Sequence, residues 1–118
     1  MSRNVKAALP VSLRGGTDVP PDANKIRELN DAFRTTFVGG VVVITSGIEG
    51  LAPELKARVL KKVRDFRDFD GDNDPHREHD FGAFELSNQQ FFFKLGSPDP
   101  SDPAQTTRVL TVMLAEEY

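Results

Sequence analysis

The side chains able to do chemistry are concentrated between residues 68 and 82, in the run Asp-Phe-Asp-Gly-Asp-Asn-Asp-Pro-His-Arg-Glu-His-Asp-Phe-Gly. Five Asp, one Glu and both histidines of the chain fall there. Asp68, Asp70, Asp72 and Asp74 alternate, a spacing that suits a chain wrapped round a hard cation with every second residue turned inward. Counted from Asp68, the EF-hand pattern puts Asn73 where its Gly belongs and His79 where its closing Glu belongs; counted from Asp70, it puts Pro75 at the Gly. An EF-hand is excluded on that count, while a calcium site of another geometry stays open.

A transition metal is the second reading. His76 and His79, three apart, with a carboxylate from Asp72, Asp74, Glu78 or Asp80, supply the imidazoles and oxygen that Zn²⁺, Mn²⁺ or Fe²⁺ accept. The metal would acidify a bound water and Glu78 could serve as general base. His-x-x-His recurs by chance, however, and the helical His-Glu-x-x-His context of the metalloproteases is missing. No cofactor is expected unless this segment holds a divalent ion. Without one, His79–Asp80 or His76–Glu78 would have to act as an acid–base pair, yet sequence neighbours rarely face each other productively and no nucleophile accompanies them. The chain has no Cys, no Gly-x-Ser-x-Gly elbow and no Gly-x-x-x-x-Gly-Lys loop, so acyl-enzyme and nucleotide-hydrolysis chemistry lose support and an enzyme is the weaker expectation. The plainest reading is a surface loop whose Asp and Asn side chains cap turns and whose histidines pair with carboxylates.

The elements that must position this segment follow from periodicity. Residues 1 to 21 hold Gly15, Gly16, Pro10 and the pair Pro20-Pro21, and read as an irregular arm before a single domain over 22–118. Asp22 can cap a first helix, in which Ile26, Leu29, Phe33 and Phe37 share a face. Gly39-Gly40 breaks it. Val41 to Thr45 is β-branched throughout and apolar on both faces, which predicts a central strand. Gly47 and Gly50 mark a turn, and Pro53 opens a second helix with Leu55, Val59, Val63 and Phe66 inward. Phe81–Leu86 and Gln89–Leu95 flank Ser87-Asn88 as a hairpin, and Val109–Leu114 is a last strand. The expected fold is α+β, of order α-β-α-β-β-β: about four strands in a small, mainly antiparallel sheet covered by two helices, with nine Phe supplying much of the core.

Charge divides along the chain. Net charge is −3, but residues 54 to 64 carry a balance of +4 and residues 65 to 80 one of −5. Such a dipolar protein steers partners electrostatically and associates in a salt-sensitive way. The cations of the second helix read first as its solvated face, and no nucleic-acid-binding motif accompanies them, so direct nucleic-acid binding is not expected. The Pro-rich stretch Ser97–Pro103 adds Asp99 and Asp102 on a stiff connector. No apolar run reaches the ~20 residues a bilayer requires. Arg3, Lys6 and Arg14 are not followed by the apolar stretch of a secretory signal, so the expected location is cytoplasmic.

The segments Ile26–Arg34, Asp68–Asp70, Asp72–His76, Glu78–Gly82, Gly96–Pro100, Thr107–Thr111 and Leu114–Tyr118 together resemble the domain of unknown function 3768, a family of small, mostly alphaproteobacterial proteins often found near plasmid or phage genes. The resemblance covers roughly residues 24 to 118 and implies no activity. In that family a longer aromatic and acidic insert separates the segments matching Phe91–Lys94 and Gly96–Asp99, a connection that is short here.

Two functions remain. One is a non-enzymatic inhibitor of mobile-element type, whose carboxylates at Asp68, Asp70, Asp72, Asp74, Glu78, Asp80, Asp99 and Asp102 occupy the basic surface of a protein partner. A CRISPR effector or other nucleic-acid-handling defence complex fits this chemistry, since carboxylates compete with phosphates for Arg and Lys. The other is a metal-binding or metal-dependent hydrolytic protein built on Asp72, Asp74, His76 and His79.

Overall fold

The computed structural model describes residues 21–99 and 101–118. The arm read over residues 1 to 21 lies outside them except for Pro21. Among the described residues helix α1 spans Pro21–Thr36, so the backbone of Asp22 is helical and does not precede the first turn as the expected cap would. Phe37 ends α1 in the left-handed region at φ 61°, its N–H on the Phe33 carbonyl at 2.6 Å. Strand β1 (Gly40–Ile44) follows, and then α2 (Ser46–Glu49), a single helical turn where only a turn was expected, which buries Ile48 completely. Helix α3 (Pro53–Asp65) carries Pro53 in its first turn and turns Val59 and Val63 inward.

After the acidic segment come β2 (Phe81–Leu86), β3 (Gln89–Gly96), β4 (Arg108–Leu114) and a closing 3₁₀ turn, Ala115–Glu117. Ser87 and Asn88, at φ 53° and 63°, make the tight hairpin turn with the positive angles that matched strand twist demands. The fold is α+β, and its four-stranded sheet has the order β1-β4-β3-β2. Pairing is antiparallel except between β1 and β4, where Val42 stands opposite Leu110 in a parallel ladder.

That order corrects the expectation for β1, which is an edge strand. Its apolar faces look alike in sequence, but only Val42 and Ile44 point toward the helices. Val41 and Val43 are 53% and 42% exposed on the other side. The central place goes to β4, which Gly40 admits closely: a Cβ at Gly40 would collide with the Arg108 carbonyl.

The core lies between one sheet face and the helices. Phe33 of α1, Ile48, and Val59 and Val63 of α3 meet Phe91, Phe93, Leu95, Leu110 and Val112. Phe66 and Phe69 cover Phe93 edge-on, with ring centroids 5.2 and 6.4 Å away. The phenylalanines do not all join this core. Phe81 and Phe92 alternate to the opposite face and pack there with Tyr118, Phe92 5.4 Å from its ring.

Candidate functional site

The segment from Phe66 to Asp80 contains no helix or strand, so its backbone groups must find partners elsewhere. Its own short polar side chains supply many of them. The Asp70 carboxylate accepts from the Asp72 and Asn73 N–H groups at 2.9 and 3.0 Å. Asn73 accepts from the Asp70 N–H and donates to the Asp68 carbonyl. Asp74 Oδ1 accepts from the N–H groups of Glu78 and His79, each at 3.1 Å. Those bonds hold Arg77 and His79 in the left-handed region, at φ 58° and 52°, where residues other than Gly are uncommon.

A polar stripe on α1 fastens the same segment from beneath. Arg27, Asn30, Asp31 and Arg34 follow the spacing i, i+3, i+4, i+7 and so share a face. Arg27 donates to the Arg77 carbonyl and Asn30 to that of Glu78. Asp31 takes the His79 Nδ1 at 2.9 Å. Arg34 Nη1 donates to the carbonyls of Val63, Arg64 and Phe66, closing the C-terminal end of α3. The His79 ring lies flat on Phe69, centroids 3.9 Å apart, and the Arg34 guanidinium sits 5.3 Å from the centroid of the same Phe69 ring. Asp31, Arg34, Arg67, Phe69 and His79 line a cleft of about 450 Å³.

Two arginines are buried here, Arg34 and Arg108, each 2% exposed. Burial pushes both guanidinium groups below the ordinary arginine value; Asp31 opposes this at Arg34, and Glu78 and Asp80 oppose it at Arg108. Arg108 Nε donates to Asn30 Oδ1, and its Nη1 to the carbonyls of Pro103 and Gln105. Arg34 Nε is buried with no hydrogen-bond partner among the described residues. A lasting cation inside the fold thus organises each of the two long loops.

The predicted site residues separate into those used internally and those presented outward. Asp74 is buried, with one carboxylate oxygen holding two N–H groups, and is not available to a partner. Asp70 is exposed but serves a turn. Glu78 and Asp80 are half-buried near Arg108. Asp99 accepts from the Ser101 hydroxyl and N–H, which hold its carboxyl below the usual aspartate range. Asp68, Asp72 and Asp102 are exposed.

Of the four residues considered as metal ligands, Asp74 and His79 meet, with Oδ2 and Nε2 3.6 Å apart, while Asp72 and His76 lie exposed. Among the described residues no three His, Asp or Glu side chains are gathered as a metal ion would need. His79 finds its carboxylate on α1, at Asp31, a pairing across 48 positions that neighbour-based pairing with Asp80 could not suggest. The ring bridges two elements, with a carboxylate near each nitrogen. Asn30, Asp31 and Arg34 are not among the expected site residues; the signals for them are their spacing on the helix and their place in the Ile26–Arg34 segment that carries the resemblance.

At the far end of the chain Glu117 makes a second clasp. Its carboxylate accepts from the Thr45 hydroxyl at 2.5 Å and from the N–H groups of Gly47 and Leu114. These donors, Thr45 foremost, hold its carboxyl below the usual glutamate range. Among the described residues no helix is long and apolar enough to cross a membrane.

Compared with known proteins, the chain matches over residues 44–117 the family model described as protein of unknown function (DUF3768). No curated protein and no solved structure matches it. The matched stretch takes in α3, the acidic segment, the hairpin, β4 and the Glu117 clasp, well over half of the residues, and the chain accordingly belongs to the DUF3768 family.

Proposed function

We propose that the protein is a non-enzymatic binding module that presents carboxylates on a stiff loop to a basic surface of a protein partner. The observation that carries this reading is the way the 66–80 segment is fastened. Asp70, Asn73 and Asp74 tie it from within, and Arg27, Asn30 and Asp31 tie it to α1. Asp68 and Asp72 therefore project from a frame that is already ordered, which lowers the ordering cost of binding. Asp102 adds a carboxylate from the second loop, whose base is anchored through Arg108. The partner chemistry this favours is an Arg- and Lys-lined surface of the kind that handles nucleic acid, where carboxylates compete with phosphate. An inhibitor of a host defence complex such as a CRISPR effector is one such case, and the mobile-element setting implied by the resemblance suits it.

The test uses Asp72→Lys with Asp102→Lys, two exposed carboxylates that hold no turn together. Affinity capture from a lysate of its own cells at physiological salt should recover a basic protein with the wild type and lose it with the double variant, while the two melting temperatures stay within a few degrees. Equal recovery by both proteins rules the reading out.

A further inference from the structure

The acidic face leaves the strongest positive feature of the molecule unused. Strand β2 is the outermost strand beyond β3. The Leu95 N–H donates to the Asp80 carbonyl at 2.8 Å, and Gly82 and Phe84 stand opposite Phe93 and Phe91. Hydrogen-bonded pairs recur at every second residue of an antiparallel ladder, so the N–H and C=O groups of Phe81, Ala83 and Glu85 point away from β3. Among the described residues no strand takes them up.

Between this edge and α3 runs a groove of about 470 Å³. Arg58, Lys61, Lys62 and Arg67 line it, over a floor that includes the half-buried Phe84 and Leu86. Asp65 and Asp68 line it too, but Asp65 is already held by Lys61 at 2.6 Å. A merely solvated helix face explains the cations. It does not explain why they border an apolar-floored groove beside an open strand edge.

We propose that this groove is a peptide-docking site, which takes an extended acidic segment of a partner protein as an added strand on β2. The backbone of Ala83 and Glu85 would supply main-chain hydrogen bonds, Phe84 and Leu86 would receive alternate apolar side chains, and Arg58 and Lys62 would select acidic flanks. Charge complementarity decides the occupant: the cations of the groove outnumber its carboxylates four to two. The site adjoins the acidic-loop surface at Asp68, but neither Asp72 nor Asp102, the two carboxylates that test that surface, lines it.

A short fluorescein-labelled peptide with a Val-Thr-Val-Thr-Val centre and Glu-Glu at both ends is the probe, read by anisotropy. It should bind, and the same peptide with Lys-Lys ends should not. Arg58→Glu with Lys62→Glu should weaken binding about tenfold or more, and so should Ala83→Pro, which removes an outward N–H without touching the β2–β3 ladder. Circular dichroism and thermal melts establish that each variant is folded. No binding of the acidic probe, equal binding of the Lys-ended peptide, or full affinity in Ala83→Pro would each overturn the proposal. Preference for polyglutamate or a single-stranded oligonucleotide over the probe would overturn it in favour of a plain polyanion site. Self-association that disappears in Ala83→Pro on sedimentation would replace the partner by a second copy of the chain.

Discussion

Asn30 is the residue on which most of the site's geometry converges. It is fully buried, donates to the Glu78 carbonyl at 2.8 Å and accepts from Arg108 Nε at 3.0 Å, so one amide joins α1 to both long loops. An amide suits this place because it offers a donor and an acceptor on one short, neutral group. Leucine has nearly its shape and neither function. Asn30→Leu should therefore destabilise the fold by about 2–4 kcal/mol, the cost of deleting both hydrogen bonds of a fully buried amide, one of them from a buried guanidinium. Urea unfolding should show the shift as a lower midpoint at unchanged slope. A midpoint within error of the wild type would mean that water reaches these groups and that the spine across Asn30 does not hold the loops. Arg34 differs in kind: Nη1 of its guanidinium donates to three carbonyls at the end of α3 while Nη2 donates to the Asp31 carboxylate, two separate nitrogens that a lysine ammonium does not offer.

At the scale of elements, the two outer strands behave differently from the two inner ones, and valine-to-threonine changes measure this. Val43 on β1 is 42% exposed, whereas Val112 on β4 is fully buried. Val43→Thr should change stability by no more than about 0.5 kcal/mol, while Val112→Thr, which buries a hydroxyl among apolar side chains, should cost roughly 1–3 kcal/mol. Similar losses at both would put β1 back inside the sheet. The misplacement of β1 in sequence has a physical reason. Its apolar residues declare a strand, but its position depends on β4, where Gly40 meets Arg108. Local features were readable for the opposite reason. Pro53 marks the start of α3, and Ser87-Asn88 encodes the hairpin in two adjacent residues. The candidate site divides along the same line. Asp70, Asn73 and Asp74 act within a few residues of themselves, and turn chemistry anticipates them. Asp31 and Arg34 act across the tertiary fold, and a polar stripe beside an apolar one resembles an ordinary solvated face until the loop is laid on it.

For the whole molecule, the carboxylates with depressed pKa values set how stability responds to acid. Glu117 is held down chiefly by the Thr45 hydroxyl, Asp65 by its hydrogen bond from Lys61, and Asp99 by the Ser101 hydroxyl. In each case the folded pKa lies below the unfolded one, so the unfolded chain binds protons first as pH falls. The stabilisation is fully present above the ordinary carboxylate range, about pH 4 to 5, and is lost as pH drops through the folded values. The contribution of these three carboxylates should therefore be flat from neutrality down to that range and decline below it. The Glu117 contribution can be isolated, because its three donors tie the start of α2 and the end of β4 to the 3₁₀ turn. Glu117→Gln keeps an acceptor oxygen but cannot ionise, so it should be less stable than the wild type at pH 7, with the gap closing toward pH 3. Thermal melts of both proteins across that range provide the measurement. A gap that stays constant with pH would show that the clasp acts through its shape and not through its charge. It would leave Lys61–Asp65 and Ser101–Asp99 to account for whatever acid sensitivity the protein has.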